Sequence, residues 1–407
     1  MRVLLLSQFY APVIGGEERH VEALAGELAL RGHRVSVATI AVPGAPAGET
    51  RDGVRVHRLR ASAQRLPGVF TDPSRPHAAP LPDPELSTGI RRLVRAERPD
   101  VVHAHNWIVN SALWTGRPLV LTLHDYSHVC AVKRLMRDGA PCAGPAPVRC
   151  LRCAGRHHGV ATGTVTALGT WLLRGRRERA PGAMIAVSEA VARGNRLAGS
   201  RLPVHVIPNF IPDHLWRAAG APVPPGPRDP RLPAGPFLLF VGDLARDKGL
   251  HVLLEAHGRL RDPPPLVLMG RRVPDTPARL PDRVTLLEDC PHDLVAGALR
   301  RCAVALAPSV WPDPCPTVVL EAMAAGCALV TTSAGGIPDL VGEEGALTVP
   351  PGDPEALAGA TRRLLGDQEL RRSLGAAARR RARDFTAGRV VPRIEAVYRA
   401  LVDGDGA

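Results

Sequence analysis

Short runs of apolar residues recur along the chain, and each is bounded by glycine, proline or polar residues. Such runs predict the strands of a parallel sheet, because parallel strands are buried on both faces. The predicted strands are residues 3–6, 35–40, 54–59, 100–106, 119–125, 183–187, 204–210, 237–241, 266–269, 284–287, 303–306, 329–332 and 345–349.

Between these runs, apolar residues repeat at three- and four-residue intervals, which is the spacing of one helix face. The predicted helices are residues 17–31, 85–98, 159–173, 250–260, 293–301, 317–325, 354–365, 369–383 and 385–401. Strands that alternate with helices predict an α/β fold with parallel sheets. A chain of 407 residues is long enough for two such domains with separate cores.

Two stretches rich in proline interrupt this alternation. Residues 61–84 are typical of a surface excursion, and residues 218–236 are typical of a linker. We therefore predict a first domain over residues 1–212, which carries a cysteine-rich insertion at 128–158. A second domain over residues 213–384 and a final helical segment over 385–407 follow it.

The composition excludes some classes of protein. The net charge is +13, so contact with an anionic membrane surface is open, whereas 3% aromatic residues argue against stacking on nucleic-acid bases. No apolar run reaches the length of a membrane helix, and the first residues lack a signal-peptide cleavage site. We expect a cytoplasmic protein, with peripheral contact at the inner membrane face as the only membrane association.

Residues 307–326 carry the most informative chemistry. A rigid, proline-rich loop that contains Asp313 joins a buried strand to a helix that contains Glu321. The N-terminus of a helix offers free N–H groups and a positive dipole end, which suit an anionic or polyhydroxyl ligand. Two surface acids are the alternative interpretation of Asp313 and Glu321.

Other strand ends carry candidate groups. Gly15 and Gly16 form a turn between a strand and a helix, where the backbone can approach a phosphate closely. No Gly-x-Gly-x-x-Gly motif is present, which argues against a nicotinamide or flavin enzyme. Two further strands end in polar residues at the edge where open α/β sheets bind ligands, and these residues are His103, His105, His124 and Asp125.

Lysine occurs at only two positions in this arginine-rich chain, Lys133 and Lys248. Lys248 stands at the start of a helix that follows a strand and the turn at Gly242. A compact point charge at this position suits contact with a phosphate. A solvated surface lysine is the alternative.

Four cysteines lie close together in the sequence, in the insertion at residues 128–158. They are Cys130, Cys142, Cys150 and Cys153. Only the last pair has Cys-x-x-Cys spacing, so the pattern differs from the twin pairs of a zinc ribbon. A structural zinc ion and a set of free thiols or redox pairs are both open interpretations, and His128, His157 and His158 are further candidate ligands.

The order of these motifs resembles that of glycosyltransferase family 4, whose members are retaining enzymes with the GT-B fold. This resemblance implies two Rossmann-like domains that face each other across a cleft, and a final helix that crosses back to the first domain. It also implies that a nucleotide-diphosphate sugar donates a sugar to a hydroxyl acceptor. The similarity covers nearly the whole chain, and a cysteine-rich insertion after the His-Asp segment is found in some members.

The resemblance assigns roles on the donor side. Asp313, where the family has Glu, and the backbone of Cys315, Pro316, Thr317 and Val318 would hold the sugar. Glu321 would hold the ribose, because a carboxylate accepts two hydroxyl hydrogen bonds side by side. Gly15, Gly16 and Lys248 would contact the diphosphate.

Two further assignments complete the expected site. The family places an Arg where this chain has Asp243, so Arg246 is the candidate substitute. His124 would face the donor sugar near the reacting centre, while His103, His105 and Asp125 would shape the acceptor side. We expect no cofactor or metal ion in catalysis, because cationic groups such as Lys248 would stabilise the leaving diphosphate.

Two alternatives to a sugar transferase remain open at this point. One is a nucleotide-sugar epimerase on the same fold, which would pass no sugar to an acceptor. The other is a basic protein that binds a membrane or nucleic acid.

Overall fold

The computed structural model describes residues 1–13, 15–65, 77–218 and 230–404. The chain forms two compact units: unit 1 comprises Met1–Pro208 and Val390–Ala407, and unit 2 comprises Asn209–Arg389. The predicted excursion at 61–84 and the predicted linker at 218–236 fall partly outside the described residues. The last three residues of the predicted segment 385–407 also fall outside them.

Unit 1 is built on a large sheet in the order β10-β9-β6-β5-β1-β2-β4-β3, with a separate β7-β8 hairpin. Every pairing in the large sheet is parallel except that of β3 with β4. The strands are β1 (Arg2–Leu6), β2 (Arg34–Ile40), β3 (Gly48–Arg51), β4 (Val54–Leu59), β5 (Val101–His105), β6 (Leu119–Leu123), β7 (Met136–Arg137), β8 (Ala140–Pro141), β9 (Ala183–Ala186) and β10 (Val204–Val206).

Helices cover this sheet. They are α1 (Gly16–Leu30), α2 (Pro84–Glu97), α3 (Pro147–His158), α4 (Val160–Leu172), α5 (Arg174–Arg177) and α6 (Glu189–Gly194). Asp83 and Ser188 begin α2 and α6 with side-chain caps, accepting from the N–H groups of Leu86 and Val191, respectively. The buried face of α1, with Val21, Leu24 and Leu28, follows the helical period of the sequence.

Unit 2 has a parallel sheet in the order β13-β12-β11-β14-β15-β16. Its strands are β11 (Leu238–Val241), β12 (Leu266–Met269), β13 (Val284–Leu287), β14 (Val304–Ala307), β15 (Leu329–Thr332) and β16 (Leu347–Val349). Its helices are α7 (Asp213–Ala218), α8 (Leu250–Gly258), α9 (His292–Leu299), α10 (Thr317–Ala324), α11 (Ile337–Val341), α12 (Pro354–Gly366) and α13 (Gln368–Ala382). The last helix, α14 (Ala387–Val402), carries the chain from unit 2 back into unit 1.

The division between the units lies between Pro208 and Asn209, a few residues before the predicted boundary after Pro212. The side chain of Asn209 donates to the Cys315 carbonyl oxygen at 2.9 Å, and Ile211 pairs with Thr386 in a parallel bridge. These bonds attach residues 209–211 to unit 2.

Several elements of unit 1 are absent from the sequence prediction, and β3 and α3 are two of them. β3 is a polar edge strand, which lacks the apolar run that signals a buried strand. α3 is the helix that contains Cys150 and Cys153, and its only buried residue is Ala154. Neither element carries the periodic apolar pattern that predicted the others.

Candidate active site

In both sheets the candidate residues lie at the position where the strand order reverses. In unit 2, β11 lies between β12 and β14, and in unit 1, β1 lies between β2 and β5. Open α/β sheets bind ligands outside the carboxyl ends of the strands at this position. In unit 2, Lys248 follows β11 and Asp313 follows β14. In unit 1, Gly16 follows β1, and His105 is the last residue of β5.

Lys248 and Asp313 form an ion pair in unit 2, with 2.6 Å between Nζ and Oδ2. The Asp313 side chain is only 5% exposed, whereas that of Lys248 is 31% exposed. Ser309 Oγ donates to the same Asp313 oxygen at 3.1 Å, and the Lys248 ammonium lies 5.3 Å from the centre of the Trp311 ring. The pair therefore presents a fixed carboxylate beside a half-exposed cation.

Two glycines allow the loops around this pair to approach each other. Gly249 has φ +79° and packs against the Pro308 carbonyl, while Gly335 has φ +61° and packs against the Asp313 backbone. A Cβ at either position would collide with backbone atoms. The Gly336 N–H donates to the Asp313 carbonyl oxygen at 2.8 Å, so the Gly-Gly turn supports the Asp313 loop.

α10 begins directly after this loop, at Thr317. Its N-cap residue is Pro316, which makes no side-chain capping bond, so side chains do not cap the first-turn N–H groups of Thr317 and Val318. Burial raises the pKa of the Cys315 thiol to about 12, which keeps that side chain neutral. The structure thus places backbone donors, rather than a reactive thiol, beside the ion pair.

Glu321 has a different partner from Asp313. It lies one turn into α10 with its side chain 12% exposed, and its Oε2 is 3.2 Å from Nε2 of His292, the first residue of α9. His292 was not among the residues that the sequence singled out. The two acids of the predicted pair therefore contact different bases.

Asp243, which stands where the resemblance led us to expect an arginine, forms an ion pair of its own. Asp243 lies 3.0 Å from Nη2 of Arg271, which enters from the end of the neighbouring strand β12. Arg246, the substitute that the sequence suggested, is exposed, and its backbone N–H donates to Asp275 at 2.8 Å. Arg271 is a second cation at this edge that sequence spacing did not indicate.

In unit 1, the turn that contains Gly15 and Gly16 leads into α1 at Gly16. The first turn of α1 contains Glu17 and Glu18, and a Cβ at Gly15 would collide with the Glu18 carboxylate. The helix N-terminus therefore already faces carboxylates of its own. An anionic ligand here would have to lie against the backbone beside them.

Three buried histidines form a stack behind this turn. His103 and His105 lie two residues apart on one face of β5, with ring centres 4.3 Å apart, and His105 Nδ1 is 2.9 Å from His124 Nε2. His103 bonds Thr122 Oγ1 and the Tyr398 hydroxyl, each at 2.6 Å. His103 is thus engaged through both ring nitrogens and lies behind His105, while His124 retains a small exposed fraction.

Burial keeps His103, His105 and the neighbouring His20 uncharged. It lowers the pKa of His103 to about 3 and that of His20, which packs edge-on against His124, to about 4. Burial and the neighbouring imidazoles lower the pKa of His105 further below its usual range. A neutral imidazole has one hydrogen-bond donor and one acceptor, and it does not attract a phosphate.

Asn106 connects the stack to two carboxyl groups. It adopts φ +53°, accepts from the His124 N–H at 2.9 Å, and donates to Glu17 at 2.8 Å and to Asp125 at 3.4 Å. Burial, followed by the charges of Glu18 and Asp125, raises the pKa of Glu17 to about 8.

The same burial raises the pKa of Asp125, while the positive charge of Lys133 opposes the shift in both Glu17 and Asp125. Glu17, Asn106 and Lys133 are functional candidates that the sequence reasoning missed. The position of Glu17 directly after the Gly-Gly pair was the available signal.

Among the residues that the structure describes, no set of three or more His, Cys, Asp or Glu side chains is arranged to hold a metal ion. No helix in the described part of the chain combines the length and apolar character that crossing a bilayer requires.

Both halves of the chain match families of known proteins. Residues 14–215 match the family described as Glycosyltransferase Family 4, and residues 235–367 match Glycosyl transferases group 1. An alpha-maltose-1-phosphate synthase of Mycobacterium tuberculosis is 30% identical over 374 residues, which cover 84% of this chain and 82% of the relative. The chain belongs to glycosyltransferase family 4.

The relatives and the solved structures extend this likeness over the whole length. A glycogen synthase of M. tuberculosis is 29% identical over 440 residues, covering 100% of this chain and 96% of the relative. The sucrose-phosphate synthase of Thermosynechococcus elongatus shares the fold with a TM-score of 0.75 and 21% identity, over 99% of each chain. The Anabaena protein HepE, solved in complex with UDP-glucose, matches with a TM-score of 0.68 and 16% identity, over 98% of this chain and 99% of its own.

These findings confirm the predicted α/β fold with two Rossmann-like units and the predicted sugar-transferase activity. None of the relatives described above is named as a nucleotide-sugar epimerase or as a protein that binds a membrane or nucleic acid, the two alternatives that the sequence left open.

Proposed function

We propose that this glycosyltransferase moves a sugar from a nucleotide-diphosphate sugar to a hydroxyl acceptor and retains the configuration at the anomeric carbon. The observation that carries the proposal is the Lys248–Asp313 ion pair at the strand-order reversal of unit 2. The Lys248 ammonium suits a diphosphate and the Asp313 carboxylate suits sugar hydroxyls, and the two groups lie within hydrogen-bond distance of each other. HepE, whose structures contain UDP and UDP-glucose, supports a donor of this class.

On the donor side, each group has a chemically matched partner. Lys248 and the uncapped N–H groups at Thr317 and Val318 bind the diphosphate, as helix N-termini commonly do. Asp313 accepts hydrogen bonds from the sugar, and Glu321 accepts them from the ribose. Arg271 lies at the same sheet edge and supplies additional positive potential.

The transfer step requires stabilisation of a departing anion. The bond from the anomeric carbon to the diphosphate oxygen breaks as the bond to the acceptor oxygen forms, and the nucleoside diphosphate leaves with the acceptor proton. Lys248 stabilises the negative charge that develops on the diphosphate, and its ammonium is already held in place by the hydrogen bond to Asp313. Preorganised charge of this kind costs no reorganisation when the bond breaks.

On the acceptor side, His124 offers its imidazole to the sugar, and His105 holds the orientation of that ring through its Nδ1, which lies 2.9 Å from His124 Nε2. The Asn106 amide donates to both Glu17 and Asp125, and these two carboxyl groups bind the acceptor hydroxyls. His103 supports His105 from behind and touches no ligand. These roles rest on contacts within unit 1.

The proposal also includes a cytoplasmic location and peripheral contact with an anionic membrane. α4 exposes Val165 by 52%, Leu168 by 42% and Leu172 by 74% on one face, and Arg174 and Arg176 of α5 follow it directly. An apolar face beside basic residues suits the headgroup region of anionic lipids. Co-sedimentation with phosphatidylglycerol vesicles tests it, and equal recovery with neutral phosphatidylcholine vesicles would count against it.

The transfer proposal is tested by a panel of nucleotide sugars. Thermal-shift measurements with UDP, GDP, ADP and TDP identify the base, and the matching nucleotide sugars are then assayed for nucleoside-diphosphate release with a range of acceptors. We expect release to depend on the acceptor, and nuclear magnetic resonance of the product to show the donor's anomeric configuration. Conversion of the donor to an isomer without release would favour the epimerase, and an inverted product would refute retention.

A further inference from the structure

A cavity of about 800 Å³ lies in the cysteine-rich segment of unit 1, where the β7–β8 hairpin meets the first turns of α3. Five arginines and one carboxylate line it, and these residues are Arg134, Arg137, Arg149, Arg152, Arg156 and Asp138. A concave site lined by charges of one sign concentrates ligands of the opposite sign. The cavity therefore favours an anionic ligand.

Three of the arginines lie on one face of α3. Arg149, Arg152 and Arg156 are three and four residues apart, which is the spacing of neighbours on a helix surface. α3 begins without a side-chain cap and has no acidic residue in its first turn. Cations near the N-terminus of a helix oppose its dipole, so Arg149 and Arg152 destabilise the start of α3. An anion in the cavity would supply the negative charge that this helix start lacks.

The hairpin holds one more arginine and the carboxylate at the same cavity. Its turn residues, Asp138 and Gly139, both have a left-handed backbone, with φ +51° and +81°. The Asp138 carboxylate lies 3.0 Å from Nε of Arg137 and 3.3 Å from Nη1 of Arg156. One oxyanion group thus already bridges a guanidinium of the hairpin and a guanidinium of α3. A phosphate group presents oxygens that can bridge the same two guanidinium groups.

The cavity also contains donors that its own residues leave unused. The Nε–H of Arg149 is buried without a hydrogen-bond partner in the described structure, while its Nη2 donates to the Gly144 carbonyl oxygen. Arg152 is exposed and has no ion-pair partner among the described residues. Guanidinium groups match the geometry of phosphate oxygens and bind them with two parallel hydrogen bonds. These donors are available to a bound phosphate.

The cavity adjoins the residues assigned to the acceptor. Val132 and Arg134 line it, and they flank Lys133 in the sequence. The charge of Lys133 acts on Glu17 and Asp125, the two carboxyl groups proposed to bind the acceptor hydroxyls. A molecule whose hydroxyl groups lie at these carboxyl groups therefore has a strongly basic cavity beside it.

We propose that this cavity binds a phosphate group of the acceptor, so that the acceptor is a phosphate ester; its assignment to the acceptor rests on the proposed function. The phosphate lies between Arg137 of the hairpin and Arg152 and Arg156 of α3. It displaces Asp138 from Arg156 at small cost, because these side chains are 61% and 73% exposed and exposed ion pairs are weak. A soluble sugar phosphate and a lipid phosphate share this chemistry.

The first test is calorimetry on the full-length protein saturated with UDP, which keeps the probes out of the donor site. Inorganic phosphate should bind, and its affinity should fall as the salt concentration rises. Glucose 6-phosphate should bind at least as tightly as inorganic phosphate, whereas glucose should bind about 10-fold more weakly or worse. Absence of phosphate binding in this complex would overturn the proposal.

Vesicles identify the source of the phosphate. Phosphatidylcholine vesicles that contain phosphatidic acid should hold the protein if the ester is a lipid, and an excess of glucose 6-phosphate should release it. Binding of glucose 6-phosphate without retention on these vesicles assigns a soluble ester. In either case the phosphate site is the same.

Two sets of variants with opposite expected effects test the residues. Arg152→Gln/Arg156→Gln should raise the dissociation constant of inorganic phosphate about 10-fold or more. The matched control is Arg91→Gln/Arg95→Gln, which changes two exposed arginines of α2 at the same spacing and should leave the constant unchanged. Asp138→Asn removes the competing carboxylate and should tighten phosphate binding about 2- to 5-fold, the size of an exposed ion pair. Damage to the fold would not produce this gain.

The transfer assay connects the cavity to the acceptor. We expect a phosphorylated acceptor to have a lower KM than its unphosphorylated counterpart, and Arg152→Gln/Arg156→Gln to raise that KM without changing kcat. Transfer to unphosphorylated acceptors alone would keep the sugar-transferase proposal and refute the phosphate ester. Phosphate binding without transfer to any acceptor would keep the cavity site and refute the transferase proposal.

The binding measurements decide the cavity site without the transfer reaction. Unchanged phosphate affinity in Arg152→Gln/Arg156→Gln at full folded stability would overturn it. If that double variant fails to fold, Asp138→Asn and the single change Arg156→Gln take its place. Phosphate affinity that neither of these changes alters would then refute the proposal.

Discussion

Replacement of Lys248 by Met tests the central contact of the donor side. The change keeps the length of the side chain and removes the charge that lies 2.6 Å from Asp313. A hydrogen bond to a charged group contributes about 1.5–3 kcal/mol. We therefore expect the dissociation constant for UDP to rise about 10- to 150-fold.

The same substitution affects stability, and the structure allows the size to be bounded. Exposed ion pairs contribute up to about 1 kcal/mol, whereas removal of one partner of a fully buried pair costs about 3–5 kcal/mol. Asp313 is buried but Lys248 is 31% exposed, and Ser309 still bonds the carboxylate. We expect the free energy of unfolding to fall by about 1–3 kcal/mol, between these limits.

Calorimetric titration with UDP measures the first quantity, and urea unfolding measures the second. Arg259→Met is the matched control, because Arg259 is also an ion-paired cation of unit 2 but lies at the far end of α8. If Lys248→Met lost stability but bound UDP within about twofold of the unmodified protein, Lys248 would be only a counterion for Asp313. The assignment of the diphosphate contact would then be refuted.

Three further changes probe other parts of the site. Glu321→Gln should weaken binding of UDP more than binding of 2′-deoxy-UDP, because the carboxylate is assigned to the ribose hydroxyls; equal losses in calorimetry would contradict that role. The raised pKa of Glu17 means that the folded state binds its proton more tightly than the unfolded state does. The free energy of unfolding should therefore fall as the pH rises from the ordinary 4.5 to about 8, and Glu17→Gln should flatten this decline in urea titrations; an unchanged slope would show that Glu17 ionises normally. Tyr398→Phe should cost about 1–3 kcal/mol of stability, because it leaves a ring nitrogen of buried His103 without the hydroxyl, and a loss below about 0.5 kcal/mol would rule that bond out as a stabilising contact.

The strands were the most predictable part of the fold. β12, β13 and β15 begin and end where the sequence predicts, because strands buried on both faces are continuous apolar runs. β3 reads Gly-Glu-Thr-Arg and pairs at the sheet edge, where no face has to be apolar. α3 was missed because arginine, cysteine and histidine fill most of it.

The candidate site was predictable in its location but not in its internal contacts. Strand ends at the reversal of the strand order could be identified from the polar residues that close each apolar run. The bond between Lys248 and Asp313 joins residues 65 positions apart, and only the packing of β11 beside β14 brings them together. The left-handed conformation of Asn106, which directs its amide at Glu17 and Asp125, leaves no mark in the residue pattern.

The return of α14 into unit 1 has a consequence for how the protein is made. Unit 1 takes residues from both ends of the chain, and Tyr398 completes the hydrogen bonding of His103 from the second of these segments. During synthesis the first domain to emerge usually folds first. Here the histidine stack stays incomplete until the ribosome has added nearly the whole chain, so unit 2, which is continuous in sequence, can reach its native state first. A nascent chain released early would carry a folded unit 2 and an incomplete unit 1.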